Sequence, residues 1–275
     1  MPEGDTIRRT ARTLDTVLAG QTVTAFHSPL LAVAAAGVRL GVVGRKVERV
    51  EARGKHLLLH FAGGAVLHTH QGMRGSWHLY RAGSAWRRPA RRARAVIETA
   101  DAVAVCFQSP VVEMLSPAET ASHPALTRLG PDLLGDGLQP EAVRQRLRSR
   151  GELEIGVALM DQTALAGIGN VYKAEVLFLC GVSPFARVRD LDDAALDRLV
   201  ARAADLMRRN LGPGLRRTTT ALSPTRVWVY RRAGEACRRC GTTIRRAVQG
   251  EQARSTYYCP ACQGDRPDPA RAGPA

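Results

Sequence analysis

The sequence predicts a multidomain α+β protein that consists of an N-terminal helix with a two-layer antiparallel β-sandwich, a helical domain, and a C-terminal β-hairpin that forms a zinc ribbon. Three observations support this fold class. Short strand-like segments recur between residues 21 and 115, apolar residues then recur at helical spacing between 141 and 210, and two Cys-x-x-Cys pairs follow. With 275 residues the chain is long enough for several domains.

The first predicted element is an amphipathic helix from Asp5 to Ala19, which Gly20 can end. Pro2 and Glu3 lie just before it. Removal of Met1 would leave Pro2 with a secondary amine. An α-amino group titrates at about 7.7–8.0, so much of it is unprotonated near neutral pH, and an amine that attacks carbon can form an iminium. The positive end of the helix dipole disfavours an ammonium group there. The alternative is an ordinary helix start without a catalytic role.

The strand-like segments that follow are short and regularly spaced, which favours a β-sandwich or barrel. A run of five arginines between Trp86 and Arg94 interrupts them, and this segment is predicted to be a solvated loop that either contacts phosphate or only aids solubility. The predicted strands are 22–26, 38–50, 56–61, 65–70, 77–80, 95–99, 103–107 and 111–115.

A stretch rich in Gly, Pro and Asp from Pro131 to Pro140 marks a domain boundary. Beyond it we predict a mobile loop over 211–224, a strand over 226–230, and a disordered tail after Cys262. The predicted domains are residues 1–130, 131–225 and 226–264, with the tail at 265–275. The predicted helices of the second domain are 141–150, 152–160, 170–180 and 192–210.

The charge balance predicts a polyanionic partner. The chain has 40 Lys and Arg against 25 Asp and Glu, a formal net charge of +15 and a pI near 10.7. Nucleic acid is the leading candidate, and a GC-rich genome that inflates arginine content is the alternative explanation. Because the sequence has no signal-like segment and no long uncharged apolar run, we predict a cytoplasmic protein without a membrane partner.

Four cysteines, Cys237, Cys240, Cys259 and Cys262, form two pairs that are separated by eighteen residues. This spacing is typical of a four-cysteine zinc site, so we predict one structural Zn²⁺ ion. The remaining two, Cys106 and Cys180, lie in apolar runs and are predicted to be core residues. Arginines 245, 246 and 254 lie on the hairpin between the pairs, where they either contact phosphate or are simply exposed.

Three glycine-containing motifs contain further candidate residues for contacts with nucleic acid. Gly167-Ile168-Gly169-Asn170 precedes a helix, whose exposed N-terminal amides favour an anion. Lys55 lies between two predicted strands and could bind phosphate. Met73, in a glycine-flanked loop, could insert between unstacked bases. Taken singly, a tight corner, an exposed lysine and an ordinary turn explain the same motifs.

Together and in this order, these motifs resemble the bacterial formamidopyrimidine-DNA glycosylase and endonuclease VIII family. The resemblance extends from Pro2 to Cys262. It rests on Pro2-Glu3-Gly4, on Arg53-Gly54-Lys55, on Asp161-Gln162 with the segment 165–172, and on the segment 254–262 with its Cys-Pro-x-Cys-Gln ending.

The resemblance implies a bifunctional DNA glycosylase and AP lyase of base excision repair. Pro2 would attack C1′ of a flipped, oxidised nucleotide, and Glu3 would be the general acid that assists opening of the sugar ring. Lys55 would contact DNA near the lesion and support catalysis, and Met73 would fill the space left by the flipped base. β-Elimination and δ-elimination would then leave a one-nucleotide gap.

The resemblance also implies how DNA is held and where the protein works. Asn170, at the start of the second helix of a helix-two-turns-helix motif, and Arg254, on the zinc hairpin, would bind phosphates that flank the lesion. The expected partner is double-stranded DNA with oxidised bases or abasic sites, bound by a monomer. We expect this bacterial protein to be cytoplasmic and associated with the nucleoid.

The base preference stays open at this stage. The Pro-Glu-Gly start and the Arg-Gly-Lys-His stretch are closer to the endonuclease VIII branch, which favours oxidised pyrimidines. The His-x-Gly-Met-x-Gly-Ser stretch is closer to the formamidopyrimidine branch, which acts on purines such as 8-oxoguanine. Thr6 replaces a residue that is often acidic in both branches. A non-catalytic protein that binds damaged DNA is the alternative from another functional class.

Overall fold

A computed structural model of the chain describes residues 2–220 and 223–265. The chain divides into two compact units, residues 1–128 and 129–275. The predicted tail at 265–275 lies outside the described residues except for Asp265, and so does Met1. Disorder directly after Cys262 is wrong, because Gln263 ends a short helix that begins at Pro260. Within the described residues, no helix combines the length and the apolar character needed to cross a bilayer.

The first unit begins with helix α1 (Gly4–Leu18), which buries Ile7, Leu14 and Leu18 on one face. This confirms the predicted N-terminal helix. The backbone N–H of Val50 donates a hydrogen bond of 2.7 Å to the Asp15 carboxylate, which joins α1 to the neighbouring strand. Burial of the apolar face and this bond fix where the helix lies on the unit.

Two four-stranded antiparallel sheets form the centre of the first unit, as predicted, and their facing sides share one apolar core with α1. The strand orders are β2-β3-β4-β8 and β1-β6-β7-β5. The strands are β1 (Ala25–His27), β2 (Val47–Arg53), β3 (His56–Phe61), β4 (Val66–His70), β5 (Ser76–Arg81), β6 (Ala93–Glu98), β7 (Ala102–Phe107) and β8 (Val111–Leu115).

The prediction of one strand over 38–50 is wrong. Leu31–Arg39 is helix α2, because its run of alanines favours a helix. Two turns follow it, at Gly41 and Gly44, whose φ angles of 60° and 85° belong to the left-handed region. The strand therefore begins only at Val47.

Two short helices end the first unit. Helix α3 (Pro117–Ser122) begins with a capping box in which Ser116 and Glu119 exchange hydrogen bonds. Helix α4 (Pro124–Thr127) follows directly after His123.

The second unit is helical, as predicted, and ends in the predicted β-hairpin. Residues from α5 to α8 share its main apolar core. Cys106 of the first unit is fully buried, whereas Cys180, at the end of α7, is only half-buried, which corrects its placement in the core. The elements are α5 (Pro140–Arg148), α6 (Ile155–Ala158), α7 (Asn170–Cys180), α8 (Asp193–Arg209), β9 (Arg245–Gln249), β10 (Arg254–Tyr258) and α9 (Pro260–Gln263).

Helix α6 is much shorter than the predicted segment 152–160. The N–H of Ile155 donates to the Ala186 carbonyl at 2.8 Å, and Glu154 forms an isolated bridge with Arg187. These pairings take up backbone groups that a longer helix would use for its first turn. Residues 159–169, with turns at 159–160 and 162–164, then connect α6 to α7.

The prediction of a strand over 226–230 is also wrong, because a buried carboxylate replaces the strand partner. The N–H groups of Trp228, Val229 and Tyr230 donate to Glu175 at 2.7, 2.9 and 2.8 Å, and the Thr218 hydroxyl also donates to it. Burial raises the pKa of Glu175 above its ordinary value, and these four hydrogen bonds act in the opposite direction. Glu175 of α7 therefore holds this segment in an irregular conformation.

Replacement of Glu175 by alanine should destabilise the second unit. It would leave three backbone amides without an acceptor. That of Val229 is fully buried, and a buried unpaired group costs about 1–3 kcal/mol, so we expect a loss of at least about 1 kcal/mol. Urea unfolding followed by circular dichroism would measure the change. Exposed Glu251→Ala is the matched control, and equal unfolding free energies for the two variants would contradict the anchoring role.

Candidate active site and metal centre

The N-terminal candidates lie at the start of α1. Pro2 is half-buried, and Glu3 is completely buried at the N-cap position with an extended backbone (φ −124°, ψ −179°). The Glu3 carbonyl accepts hydrogen bonds from the N–H groups of Thr6 and Ile7 at 2.9 and 3.0 Å. The first residues are thus part of the folded unit, and a carboxyl group that is excluded from water lies next in sequence to the proline nitrogen.

Lys55 and Met73 lie in loops at the same end of the β2-β3-β4-β8 sheet, here called the sheet edge. Lys55 follows Gly54, whose φ of 56° closes the tight β2-β3 turn. Strand β3 begins at His56, β4 ends at His70, and these two histidines are paired across the strands. The loop that carries Met73 therefore leaves the sheet beside the turn that carries Lys55.

The histidine pair beneath these loops is neutral. Burial lowers the pKa of His56 to about 3 and also lowers that of His70, and the nearby Lys55 ammonium group acts in the same direction on both. The sheet edge therefore carries the positive charge of Lys55 without an added charge from His56 or His70 at neutral pH.

The side chain of Met73 is 72% exposed at the tip of a constrained loop. Gly72 has a φ of 57°, and a Cβ atom on Gly75 would overlap the Gln71 carbonyl and the Ser109 hydroxyl. The N–H of Gly75 donates to the Gln71 carbonyl at 2.8 Å. A tight turn braced by a neighbouring loop thus presents an apolar side chain to solvent.

Gln71, which the sequence did not single out, lies at the base of the Met73 loop. It is almost fully buried, and its Nε2 atom has no hydrogen-bond partner within residues 2–220 and 223–265. A buried amide is normally satisfied, so this nitrogen is a further candidate contact at the same sheet edge.

The phosphate-binding candidates of the second unit lie together. Asn170 is the first residue of α7, and its Nδ2 atom donates to the Ser255 carbonyl of β10 at 2.7 Å. Arg254 precedes Ser255, and its guanidinium group donates to Gln252 at 3.0 and 3.2 Å. The structure therefore places the N-terminus of α7, the positive end of its helix dipole, next to an arginine of the hairpin.

A buried polar chain fixes the hairpin to α7. Lys173 Nζ donates to the Thr256 hydroxyl at 2.7 Å, which donates to Gln249 Oε1 at 2.5 Å, and Gln249 Nε2 donates to Glu154 at 2.8 Å. Lys173 is almost fully buried. These residues are far apart in sequence and show no motif, so the sequence could not reveal the chain.

The glycine turn before α7 is held by one side chain. Gln162 accepts a hydrogen bond from the Gly167 N–H at 3.1 Å and donates to the Ile168 carbonyl at 3.0 Å. Gly167 has a φ of 107°, which explains the need for glycine there.

The arginine-rich segment lies between β5 and β6. Trp86 stacks on Tyr80 with a ring-centroid distance of 6.2 Å and packs edge-on against Phe107 at 5.9 Å. Four of its five arginines are exposed and Arg88 is half-buried, so a positively charged surface rests on an aromatic anchor. This agrees with the predicted solvated loop.

The base of the 211–224 loop is hydrogen-bonded around Arg217. Its guanidinium group donates to the carbonyls of Thr220, Ser223 and Thr225 at 3.1, 2.9 and 3.2 Å. The Asn210 side chain accepts from the Arg217 N–H at 2.7 Å. Residues 221 and 222 lie outside the described residues, and the mobility of this loop stays a prediction.

The four predicted metal ligands come together in the structure. The Sγ atom of Cys240 lies 3.5 Å from the Sγ atom of Cys259 and 3.4 Å from that of Cys262. The Sγ atoms of Cys237 and Cys262 are 3.9 Å apart. A tetrahedral site with Zn–S bonds of about 2.3 Å gives sulfur separations of about 3.8 Å. Disulfide sulfurs would be about 2.05 Å apart, so the geometry fits metal coordination.

Three family models match the chain in sequence order. They are the formamidopyrimidine-DNA glycosylase N-terminal domain over residues 1–110, the formamidopyrimidine-DNA glycosylase H2TH domain over 129–221, and the zinc finger found in FPG and IleRS over 234–264. The zinc-finger match and the sulfur geometry together identify one structural Zn²⁺ site.

Curated relatives match over nearly the whole chain. "Probable endonuclease 8 2" of Streptomyces coelicolor is 42% identical over 98% of this chain and 96% of the relative. "DNA-(apurinic or apyrimidinic site) lyase Nei2" of Mycolicibacterium smegmatis is 39% identical, with 96% and 99% covered, and "Endonuclease 8" of Escherichia coli is 34% identical, with 96% and 100% covered.

This chain belongs to the formamidopyrimidine-DNA glycosylase and endonuclease VIII family. The fold agrees with a crystal structure of Lactococcus lactis formamidopyrimidine-DNA glycosylase bound to DNA with an AP site, at a TM-score of 0.79 and 21% identity, with 96% of this chain and 100% of the other covered. The family assignment and the fold class predicted from the motifs are thus confirmed.

Proposed function

We propose that this protein is a bifunctional DNA glycosylase and AP lyase of base excision repair that reacts through the Pro2 amine after Met1 is removed. The observation that carries the proposal is the start of α1, where Pro2 is integrated into the fold beside the buried Glu3. A protein that only binds damaged DNA needs neither group.

The proposed chemistry uses the amine as a nucleophile. The Pro2 nitrogen attacks C1′ of the damaged nucleotide, the bond from C1′ to the base breaks, and the base leaves with a proton. Glu3 donates a proton to the ring oxygen as the sugar opens to an iminium. The iminium acidifies the C2′ proton, so β-elimination expels the 3′ phosphate and δ-elimination expels the 5′ phosphate.

The DNA contacts follow from the charged and apolar groups of each unit. In the first unit, Lys55 binds DNA near the lesion, and Met73 fills the space that the flipped nucleotide leaves. In the second unit, the N-terminus of α7 at Asn170 and Arg254 bind flanking phosphates. The net charge of +15 supports a DNA partner.

We propose double-stranded DNA with oxidised bases or abasic sites as the partner, and oxidised pyrimidines as the preferred lesions. Relatives named endonuclease 8 at 34–42% identity support the endonuclease VIII branch. The alternative is a preference for purines of the 8-oxoguanine type, because the His-x-Gly-Met loop is closer to the formamidopyrimidine branch. We further propose that the protein acts as a monomer on cytoplasmic, nucleoid DNA.

Borohydride should trap a covalent adduct between the protein and DNA that contains an abasic site, because reduction converts the iminium to a stable amine. Peptide mapping by mass spectrometry should locate the adduct on Pro2. The control is a chain with an uncleaved N-terminal extension, in which the Pro2 nitrogen is part of a peptide bond and cannot act as a nucleophile. An adduct on Lys55, or equal trapping of the extended chain, would contradict the assignment of the nucleophile.

In a panel of duplexes that each carry one lesion, thymine glycol should be excised faster than 8-oxoguanine. Single-turnover rates of base release would establish the ranking. An abasic duplex serves as the control, because its cleavage needs only the lyase step. Faster release of 8-oxoguanine would establish the alternative specificity.

Arg254→Ala should weaken binding to every lesion by a similar factor, because phosphate contacts position DNA without reading its bases. The slope of log affinity against log salt should fall by about one. Fluorescence anisotropy at several salt concentrations would measure both effects. Arg208→Ala, which removes an exposed charge of α8, is the matched control, and a changed lesion ranking for Arg254→Ala would refute its phosphate role.

A further inference from the structure

Four of the seven histidines, His56, His68, His70 and His123, contact one another at one face of the β2-β3-β4-β8 sheet. His60 lies on the same face but pairs with Glu51. In β3 and β4, Leu57, Leu59 and Leu67 point into the sandwich core, so the alternating residues occupy the other face. That face carries His56, His68, His70 and Glu113, and His123 approaches it from the start of α4.

The centre of this histidine cluster is one carboxylate between two imidazole rings. Oε2 of Glu113 lies 2.8 Å from Nδ1 of His68 and 3.0 Å from Nε2 of His123. The two rings are 5.0 Å apart at their centroids and meet at 71°. One ligand atom from each of the three residues lies within 4.8 Å of the others.

We propose that His68, Glu113 and His123 form a second metal site, which binds a divalent transition-metal ion such as Zn²⁺. Two imidazole nitrogens and one carboxylate oxygen are ligands that Zn²⁺ prefers, at distances of about 2.0–2.2 Å. Small movements of the three side chains bring the ligand atoms onto such a sphere. Glu113 has 41% of its side chain exposed, so an ion and a water ligand can enter from solvent.

The residues around the site support coordination. A metal-bound histidine usually donates its other N–H to a neighbouring group, which fixes the ring. His68 Nε2 lies 2.8 Å from Nδ1 of His56, so this role is filled when His68 binds metal through Nδ1. His68 is completely buried and lies on a central strand, which limits its movement.

His123 supplies an independent indication. Its Nδ1 atom is buried and has no hydrogen-bond partner in the part of the chain that the structure describes. Nε2, in contrast, faces Glu113 at 3.0 Å, so this nitrogen is the one placed to bind a metal ion. A bound ion would also tie the segment that begins α4 to strands β4 and β8.

Cobalt titration of the zinc-loaded protein tests the proposal. With Zn²⁺ retained by the four cysteines, one further Co²⁺ should bind and give visible d–d absorption without thiolate charge-transfer bands. His123→Gln and Glu113→Gln should abolish this saturable binding. His56→Gln should weaken it by about 10- to 100-fold, as expected for loss of a group that orients a ligand.

His27→Gln removes an exposed histidine outside the cluster and is the matched control, which should bind Co²⁺ as the unmodified chain does. Circular dichroism would confirm that each variant is folded. Absence of a second ion in the unmodified protein would overturn the proposal, and so would unchanged binding by both His123→Gln and Glu113→Gln. Thiolate bands in place of the expected absorption would show that Co²⁺ enters only the cysteine site, and this would also overturn the proposal.

Discussion

Packing of the apolar face of α1 on the β-sandwich is the interaction on which the proposed chemistry depends. Chain termini are usually poorly ordered unless an element ties them down. Here Ile7, Leu14 and Leu18 are fully buried, and Asp15 accepts a hydrogen bond from the backbone of β2. The terminal residues can therefore act as a fixed part of a site, which a frayed terminus could not do.

Helix α7 has the corresponding role in the second unit, because its polar residues organise the segments around it. Asn170 and Lys173 bind the hairpin, while Glu175 binds three successive backbone amides of the segment at 228–230. A short hairpin cannot bury enough apolar surface to be stable alone, so the zinc site and these buried hydrogen bonds fix its position. Arg254 is thereby held by a framework rather than by a flexible loop.

The sequence predicted those features whose cause is local. The helix over 170–180 follows from the glycine turn before it, and the cysteine site follows from its spacing. Helix α2 is an exception, because its run of alanines favours a helix locally and the prediction did not use that signal. The irregular segment at 228–230 was missed because its partner, Glu175, lies more than fifty residues earlier.

The functional residues likewise fall into two groups, those that belong to local motifs and those that only the fold brings together. Pro2, Glu3, Lys55 and Met73 belong to short motifs, so their types and positions could be read directly. His68, Glu113 and His123 are separated by 45 and 10 residues, and only the pairing of β4 with β8 and the approach of α4 bring them together. No local spacing encodes such a cluster.

The cluster and the proposed active site are connected through strand register. His56 directly follows the turn that carries Lys55, and His70 directly precedes the loop that carries Met73. His56 also contacts His68. Burial keeps protons off His56 and His70, whereas a dication bound beside Glu113 would have its charge partly offset by the carboxylate. Metal binding, unlike protonation of the histidines, would therefore add charge and rigidity beneath the same sheet edge. If the Lys55 and Met73 loops bind DNA as proposed, positive charge beneath them would strengthen attraction to phosphate, so a metal ion there would act on DNA binding without contacting the lesion.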